Sequence, residues 1–277
     1  SGIFKPESNV VLAAQTPSVA KVLMEKVAKV SAIPFREGIE FAVKKRSLAV
    51  GGQLISITGL RGHYDDIFLP LHGKHQASNA AAALIAVEAF FGEQDLDIDA
   101  VRAGFANVTS PGRCEIVHRD PTIILDAAHN PHGAKAIAET IQSEFTFDDV
   151  TGIVALMADK DALGILQALE PVMNQIIVTT NSSERSMGVA DLTKLANQVF
   201  GADRVELERL GGDQLLRRGH DDRVHRLAGD RDAAGAHVPL HPGQYRSAGD
   251  LGLGLRHRHH GAGAGGDGPR LWAGTAS

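Results

Sequence analysis

Apolar and polar positions divide this chain into three stretches with different rhythms. Val10–Ala14 reads as a short strand, and Pro17 opens a helix running to about Val30 with apolar residues at helical spacing. From Ile39 to Pro70 the pattern alternates, with turns at Gly51-Gly52 and Arg61-Gly62, which predicts antiparallel strands. Ser78 to Phe91 is predicted as a helix apolar on nearly every face, and therefore buried; Gly92 ends it. A short helix is expected over Ile98–Phe105. Three strand–loop–helix units then follow. They run from Thr122–Leu125 into Pro131–Phe145, from Gly152–Met157 into Ala162–Leu169, and from Gln175–Thr179 into Val189–Phe200. Strands alternating with helices of this length predict an α/β fold with a mainly parallel sheet covered on both faces. The change of rhythm falls at Thr109-Ser110-Pro111-Gly112, where a domain boundary is expected.

Composition changes the picture at one place. Over all 277 residues the chain is 43% apolar and 22% charged, the average of a soluble globular protein. The net charge of −5 lacks the basic excess of a dedicated nucleic-acid binder. The longest apolar run, Ala80–Val87, is too short for a membrane span. The single cysteine, Cys114, excludes an internal disulfide framework and fits a reducing cytosol. Ser1 is followed by no charged-then-apolar leader, and the chain is expected to begin inside a longer one. The average hides a break near Leu210, however. Gly211–Ser277 holds 15 Gly, 7 His and 9 Arg, and no Lys, Glu, Asn, Ile, Phe, Met or Cys. The expected organisation is therefore 1–110, 111–210 and a low-complexity tail over 211–277, whose run Arg256-His257-Arg258-His259-His260 has no ordered metal-ligand spacing.

Ligands of open α/β sheets collect beyond the carboxyl ends of the strands. The loops expected there are Asp126-Ala127-Ala128-His129-Asn130, Ala158-Asp159-Lys160-Asp161 and Asn181-Ser182-Ser183-Glu184-Arg185-Ser186. In the first, Asn130 is a candidate N-cap and Pro131 a first helical residue, so the helix start is well specified and its N–H groups favour an anion. Asp126 and His129 precede this cap, either as functional groups over the sheet edge or as plain loop and capping residues. In His72-Gly73-Lys74-His75-Gln76-Ala77-Ser78-Asn79, Gln76 and Asn79 share a helical face, and side-chain amides suit an adenine edge. Helix capping by Ser78 or Asn79 is the simpler account. His63, His72 and His75 read as loop histidines rather than metal ligands. Arg113, after Pro111-Gly112, could hold a phosphate bidentately or make an ordinary interdomain ion pair.

Taken in order, His-Gly-x-His-Gln-x-x-Asn-Ala, Pro-Gly-Arg-x-Glu, Asp-x-Ala-His-Asn-Pro and Asp-Lys-Asp resemble the Mur ligase superfamily, and within it folylpolyglutamate synthase, often bifunctional with dihydrofolate synthase. The resemblance covers Ser1 to about Leu210. It implies the end of a central ATPase domain followed by a Rossmann-like C-terminal domain. It also implies a cytoplasmic, monomeric parent that uses ATP and Mg2+ to join L-glutamate to folate or dihydropteroate through an acyl phosphate. Asn79 would contact adenine, Arg113 the phosphates and Asp126 the ribose or phosphate region, and His129 would help position the incoming glutamate. Asp159 and Lys160 belong to a recurrent family loop, and Arg185 receives no role because Glu184 replaces the family's proline. A peptidoglycan-precursor Mur ligase fits Pro-Gly-Arg-Cys-Glu and Asp-Ala-Ala-His-Asn-Pro less well. A non-catalytic α/β module that binds nucleotide or glutamate is the alternative from another class.

The departures are as informative. No Gly-x-x-x-x-Gly-Lys-Ser/Thr phosphate loop occurs in these residues. Gly2-Ile3-Phe4-Lys5-Pro6 resembles the piece following the family's carbamylated, magnesium-binding lysine, so the principal magnesium ligands are expected upstream and the chain alone is expected to be inactive. The types absent after Leu210 are largely those with AT-rich codons, as an out-of-frame reading of a GC-rich gene would produce. Sequencing the coding region tests this. A continuous alternative frame encoding a patterned βα segment is expected, with the codons of Leu251–Arg258 reading as Ser-Gly-Ser-Gly-Ser-Val-Thr-Gly one base away; the lack of such a frame overturns the frameshift.

Overall fold

The structure, a computed structural model, describes residues 3–207, 252–254, 256–257 and 270–271. The chain divides into two compact units, Ser1–Thr109 and Ser110–Ser277.

In the first unit, β1 (Asn9–Leu12) runs through α1 (Pro17–Lys29) into β2 (Ile33–Arg36), which pairs with β1 in parallel. β3 (Ala42–Ala49), β4 (Gly52–Thr58) and β5 (His63–Leu69) form an antiparallel sheet. α2 (Lys74–Phe91) and α3 (Ile98–Ala106) follow. Alternation along β4 buries Ile55 and Ile57, which pack with Phe41, Ile67 and Leu69 and with Ala77, Ala81, Leu84 and Ile85 of α2. Two expectations for α2 need correction. It starts at Lys74, four residues before the expected Ser78, and only one of its faces is buried. Ala83, Ala86, Val87 and Phe90 stand exposed, because the unit offers α2 a single layer to pack on.

A buried carboxylate ties α2 to the β4–β5 hairpin. Glu88, 1% exposed, accepts from the Leu60 N–H (2.8 Å), the Arg61 N–H (3.4 Å) and the Tyr64 hydroxyl (2.8 Å). Gly59 closes the turn against Gly62, and a Cβ at Gly59 would lie 2.6 Å from Glu88 Oε2, so any side chain there would displace the carboxylate.

The second unit holds β6 (Glu115–Arg119), β7 (Thr122–Asp126), α4 (Pro131–Glu144), β8 (Thr151–Ala155), α5 (Ala162–Leu169), β9 (Gln175–Val178), α6 (Val189–Phe200) and β10 (Val205–Leu207). The sheet order is β10-β9-β8-β11-β7-β6, with β11 formed by Gly252–Gly254. β8, β9 and β10 are parallel, and β11 is antiparallel to both β7 and β8. Hence β7 to β10 all run one way, as expected of a mainly parallel α/β sheet, and their carboxyl ends share one edge. β6, absent from the sequence reading, is antiparallel to β7. Within 211–277, β11 lies in the sheet, and β12 (Arg256–His257) pairs with β13 (Arg270–Leu271). The rest of 211–277, His259 and His260 included, lies outside the described residues. β8 is buried throughout, and α4, α5 and α6 supply Ile137, Ile141, Ile165, Leu166, Leu192 and Phe200 to the core.

Glu88 gives a stability test. Glu88→Ala leaves three donors without their acceptor and is expected to cost about 3 kcal/mol or more in urea unfolding, while Glu88→Gln, which keeps one acceptor oxygen, costs less. Equal losses for the two variants would contradict this role.

Candidate functional site

The edge formed by the carboxyl ends of β7, β8 and β9 carries the three loops singled out in the sequence. The first joins β7 to α4. Asn130 caps α4, its Oδ1 accepting from the Gly133 N–H at 2.8 Å, and Pro131 takes the first helical position, where no backbone donor is needed. Burial continues the strand alternation beyond β7: Ile124, Asp126 and Ala128 are buried, while Leu125, Ala127 and His129 are partly exposed.

Asp126 is the most constrained polar group at this edge. It is 7% exposed, and its two oxygens accept from different backbone segments. Oδ1 takes the Ala128 N–H and Oδ2 the Cys114 N–H, each at 2.8 Å. Burial pushes its pKa up to about 6, against the pull of these two N–H groups and the charge of Arg113. Cys114 belongs to the turn Ser110–Cys114, in which the Arg113 N–H donates to Ser110 O and the Gly112 N–H to Glu115 Oε2 at 2.8 Å. Gly112 (φ 68°) and Cys114 (φ 47°) are both left-handed, a conformation that costs a non-glycine residue about 1 kcal/mol or more. The Ala127 N–H donates to Gly112 O at 2.6 Å and completes the tie between turn and loop.

The structure therefore brings Arg113, Asp126 and His129 into one cluster of loops. Arg113 is exposed, and its guanidinium makes no hydrogen bond among the described residues, so its donors are free for an anion. His129 is half-buried, with Nδ1 3.2 Å from the Ala127 carbonyl. A carbonyl only accepts, so Nδ1–H is the donor in this contact and Nε2 is left facing away from it. Glu115 and Cys114 went unassigned in the sequence reading. The Pro-Gly-Arg-Cys-Glu motif contained both, but their role rests on backbone contacts that no side-chain pattern announces.

The other two loops are zipped together. The Ala158 N–H donates to Arg185 O (2.8 Å) and the Met187 N–H to Leu156 O (2.7 Å). Lys160, largely buried, lies 3.4 Å from the exposed carboxylate of Asp159, and Asp161 caps α5 through the Gly164 N–H.

Asn79 belongs to the first unit. It sits in the second turn of α2, exposed, and donates through Nδ2 to Gln76 Oε1 at 3.1 Å. Neither Ser78 nor Asn79 caps the helix, because Gly73, at φ 101°, occupies the cap without a side-chain bond. The segment before α2 is held instead by the fully buried Gln53, whose Nε2 donates to Leu71 O (2.8 Å) and Gly73 O (3.1 Å). Sequence reasoning missed Gln53, whose partners lie 18 and 20 residues away. His63 Nδ1 is 3.1 Å from Thr58 Oγ1 on the exposed hairpin. Among the described residues no group of three His, Cys, Asp or Glu side chains could hold a metal ion, and no helix is long and apolar enough to cross a membrane.

Known proteins share this sequence and architecture. Residues 112–230 match the Mur ligase, glutamate ligase domain. The dihydrofolate synthase/folylpolyglutamate synthase of Mycobacterium tuberculosis is 50% identical over 203 residues, which is 72% of this chain and 42% of that protein. The structure of M. tuberculosis folylpolyglutamate synthase complexed with ADP superposes with a TM-score of 0.71 at 47% identity, covering 78% of this chain and 50% of that one. Folylpolyglutamate synthase from Thermotoga maritima gives 0.65 at 27% identity, covering 78% and 50%. The chain thus spans about half the length of the relatives it matches. Residues 112–230, which include the Asp126–Pro131 loop, thus match the glutamate ligase domain of the Mur ligases, and the chain is similar to folylpolyglutamate synthases over about half their length.

Proposed function

We propose that this chain is part of an ATP-dependent dihydrofolate synthase/folylpolyglutamate synthase, a cytoplasmic acid–amino-acid ligase, and that its second unit holds the groups that meet phosphate and glutamate. The observation that carries this reading is the pair of Asp126 bonds that tie the turn carrying Arg113 to the loop carrying His129, in a unit that matches the glutamate ligase domain. ADP-bound relatives support nucleotide as a ligand.

The residues fit these roles chemically. Arg113, whose guanidinium makes no hydrogen bond among the described residues, would hold phosphate oxygens and offset the negative charge that builds on them during transfer. Asn79, with Gln76 fixed behind it, would offer its amide to a purine edge. His129, held through Nδ1 on the Ala127 carbonyl, would present Nε2 to an incoming glutamate and help orient it. Magnesium would supply further charge neutralisation at the phosphates; among the described residues no group of three His, Cys, Asp or Glu side chains could hold it. In the overall reaction a folate or dihydropteroate carboxylate takes a phosphoryl group from ATP, and the glutamate amine then displaces phosphate to form the amide. An intact parent acting as a monomer completes this reading.

Two measurements test it. The chain alone is expected to release no phosphate in the presence of ATP, folate and glutamate. It is expected to bind AMPPCP weakly in calorimetry, with Arg113→Ala lowering the affinity about tenfold, the loss of one charge-assisted contact. Ligand-dependent phosphate release, or AMPPCP binding indifferent to Arg113, would overturn these assignments.

A further inference from the structure

Along β4, positions 53, 55 and 57 turn to the same side, and two of them, Ile55 and Ile57, fill the core beneath α2. The third is Gln53, which is fully buried. A primary amide is costly to bury unless its groups are bonded, and a leucine here would have continued the apolar row. Gln53 is bonded at both ends. Its Oε1 accepts from Arg46 Nε on β3, and its Nε2 donates to Leu71 O at 2.8 Å and to Gly73 O at 3.1 Å. A guanidinium only donates and a carbonyl only accepts, so these partners fix which end of the amide faces which way. The two carbonyls flank His72, in the segment that enters α2.

That entry lacks a side-chain cap. Gly73 holds the cap position of α2 at φ 101° with no side chain to offer, and a helix end without a capping group frays readily. The Gly73 carbonyl that Gln53 grips also accepts the Gln76 N–H at 3.0 Å. Gln76 is 7% exposed, and its Oε1 accepts from Asn79 Nδ2 at 3.1 Å. A continuous path of hydrogen bonds and backbone therefore runs from Arg46 through Gln53, Gly73 and Gln76 to the exposed amide of Asn79. We propose that Gln53 is a positioning residue: its amide anchors the uncapped first turn of α2 from the β3–β5 sheet, and so fixes the Asn79 amide for a purine edge. Without the anchor the first turn frays, and fraying withdraws Gln76, the acceptor that orients Asn79. The later turns are held separately by Leu84, Ile85 and Glu88, so the disturbance stays local. Its consequence falls on the base and not on the phosphates. That Asn79 meets a purine rests on the reading above; the anchoring of the first turn does not.

Calorimetry on the intact chain compares AMPPCP with inorganic tripolyphosphate, which has no base. Gln53→Leu is close in size but has no donor for the two carbonyls. It is expected to weaken AMPPCP about fivefold, the worth of one neutral hydrogen bond, and to leave tripolyphosphate binding unchanged. Asn79→Ala is expected to lose a similar factor, and adding Gln53→Leu to it to lose no more, because one residue acts through the other. Equal losses for the two ligands, or losses that multiply in the double variant, overturn the positioning role. Amide hydrogen exchange reads the anchor without any ligand. In Gln53→Leu the Gln76 and Ala77 amides are expected to lose protection while Leu84 and Ile85 keep theirs, and unchanged protection at Gln76 and Ala77 refutes the anchor. Should Gln53→Leu fail to fold, Arg46→Met, at the half-buried end of the path, takes its place. Smaller losses in the same pattern are then expected, and no loss in either measurement overturns the proposal. An unaltered chain that binds no AMPPCP sinks the nucleotide reading and the role toward Asn79 with it, whereas exchange alone decides the anchor, so the two failures are told apart.

Discussion

The arrangement of the second unit's candidate site depends on one buried carboxylate. Asp126 lies at the end of a strand in a closely packed sheet, and removing its charge from water outweighs the two backbone donors and the guanidinium that favour the ionised form. In thermodynamic terms the group is a net cost when ionised. Its pKa is raised from 3.8 to about 6, so the folded chain binds a proton more readily than the unfolded one. The stability it contributes is therefore fully present below about pH 3.8 and is lost as pH rises through about 6, an effect on the order of 3 kcal/mol. A group that lowers stability at neutral pH and yet holds two loops in place fits the usual exchange of stability for a preorganised site.

Glu88 shows the same device without the functional setting. It too is a carboxylate buried under a turn and satisfied by backbone N–H groups. Its third partner is a phenol, however, and the turn it holds presents Arg61-Gly62 on an exposed hairpin rather than at the carboxyl edge of a parallel sheet. Buried carboxylates here are how the chain fixes irregular backbone that no ladder can satisfy. What distinguishes Asp126 is its place at the edge where an open α/β sheet receives ligands.

Legibility in the sequence followed the range of each interaction. The α4 start was readable because its determinants, Asn130, Pro131 and Gly133, lie within one turn of one another. The antiparallel strands between Ile39 and Pro70 were readable from alternation and glycine turns. The α2 start was misread because Gly73 caps it with no side chain, while Ser78 and Asn79 imitate a cap from inside the helix. β6 escaped notice because it is five residues long, bulged between Ile116 and His118, and largely exposed at its end. Asp126 and His129 could be named from their loop, but the bond from Asp126 to Cys114 spans 12 residues and ends on a backbone amide, which has no residue signature.

Period-two alternation explains why the loop has its particular spacing. The strand rhythm runs past the last ladder residue, so that positions 124, 126 and 128 turn inward and positions 125, 127 and 129 turn outward. An inward Asp126 reaches the Cys114 N–H, and the outward His129 directly follows Ala128, whose N–H Asp126 also holds. Ala128 is buried against the start of α4, where a Cβ on Gly133 would lie 3.4 Å from the Ala128 methyl. Asn130 then ends the extended segment by capping the helix, leaving no slack between strand and helix. Adding or removing one residue between Asp126 and His129 would turn the imidazole inward, while Asp126, placed by β7, would keep its face. The interval between Asp126 and His129 is thus set by the pleat of the strand as much as by the chemistry the two groups perform.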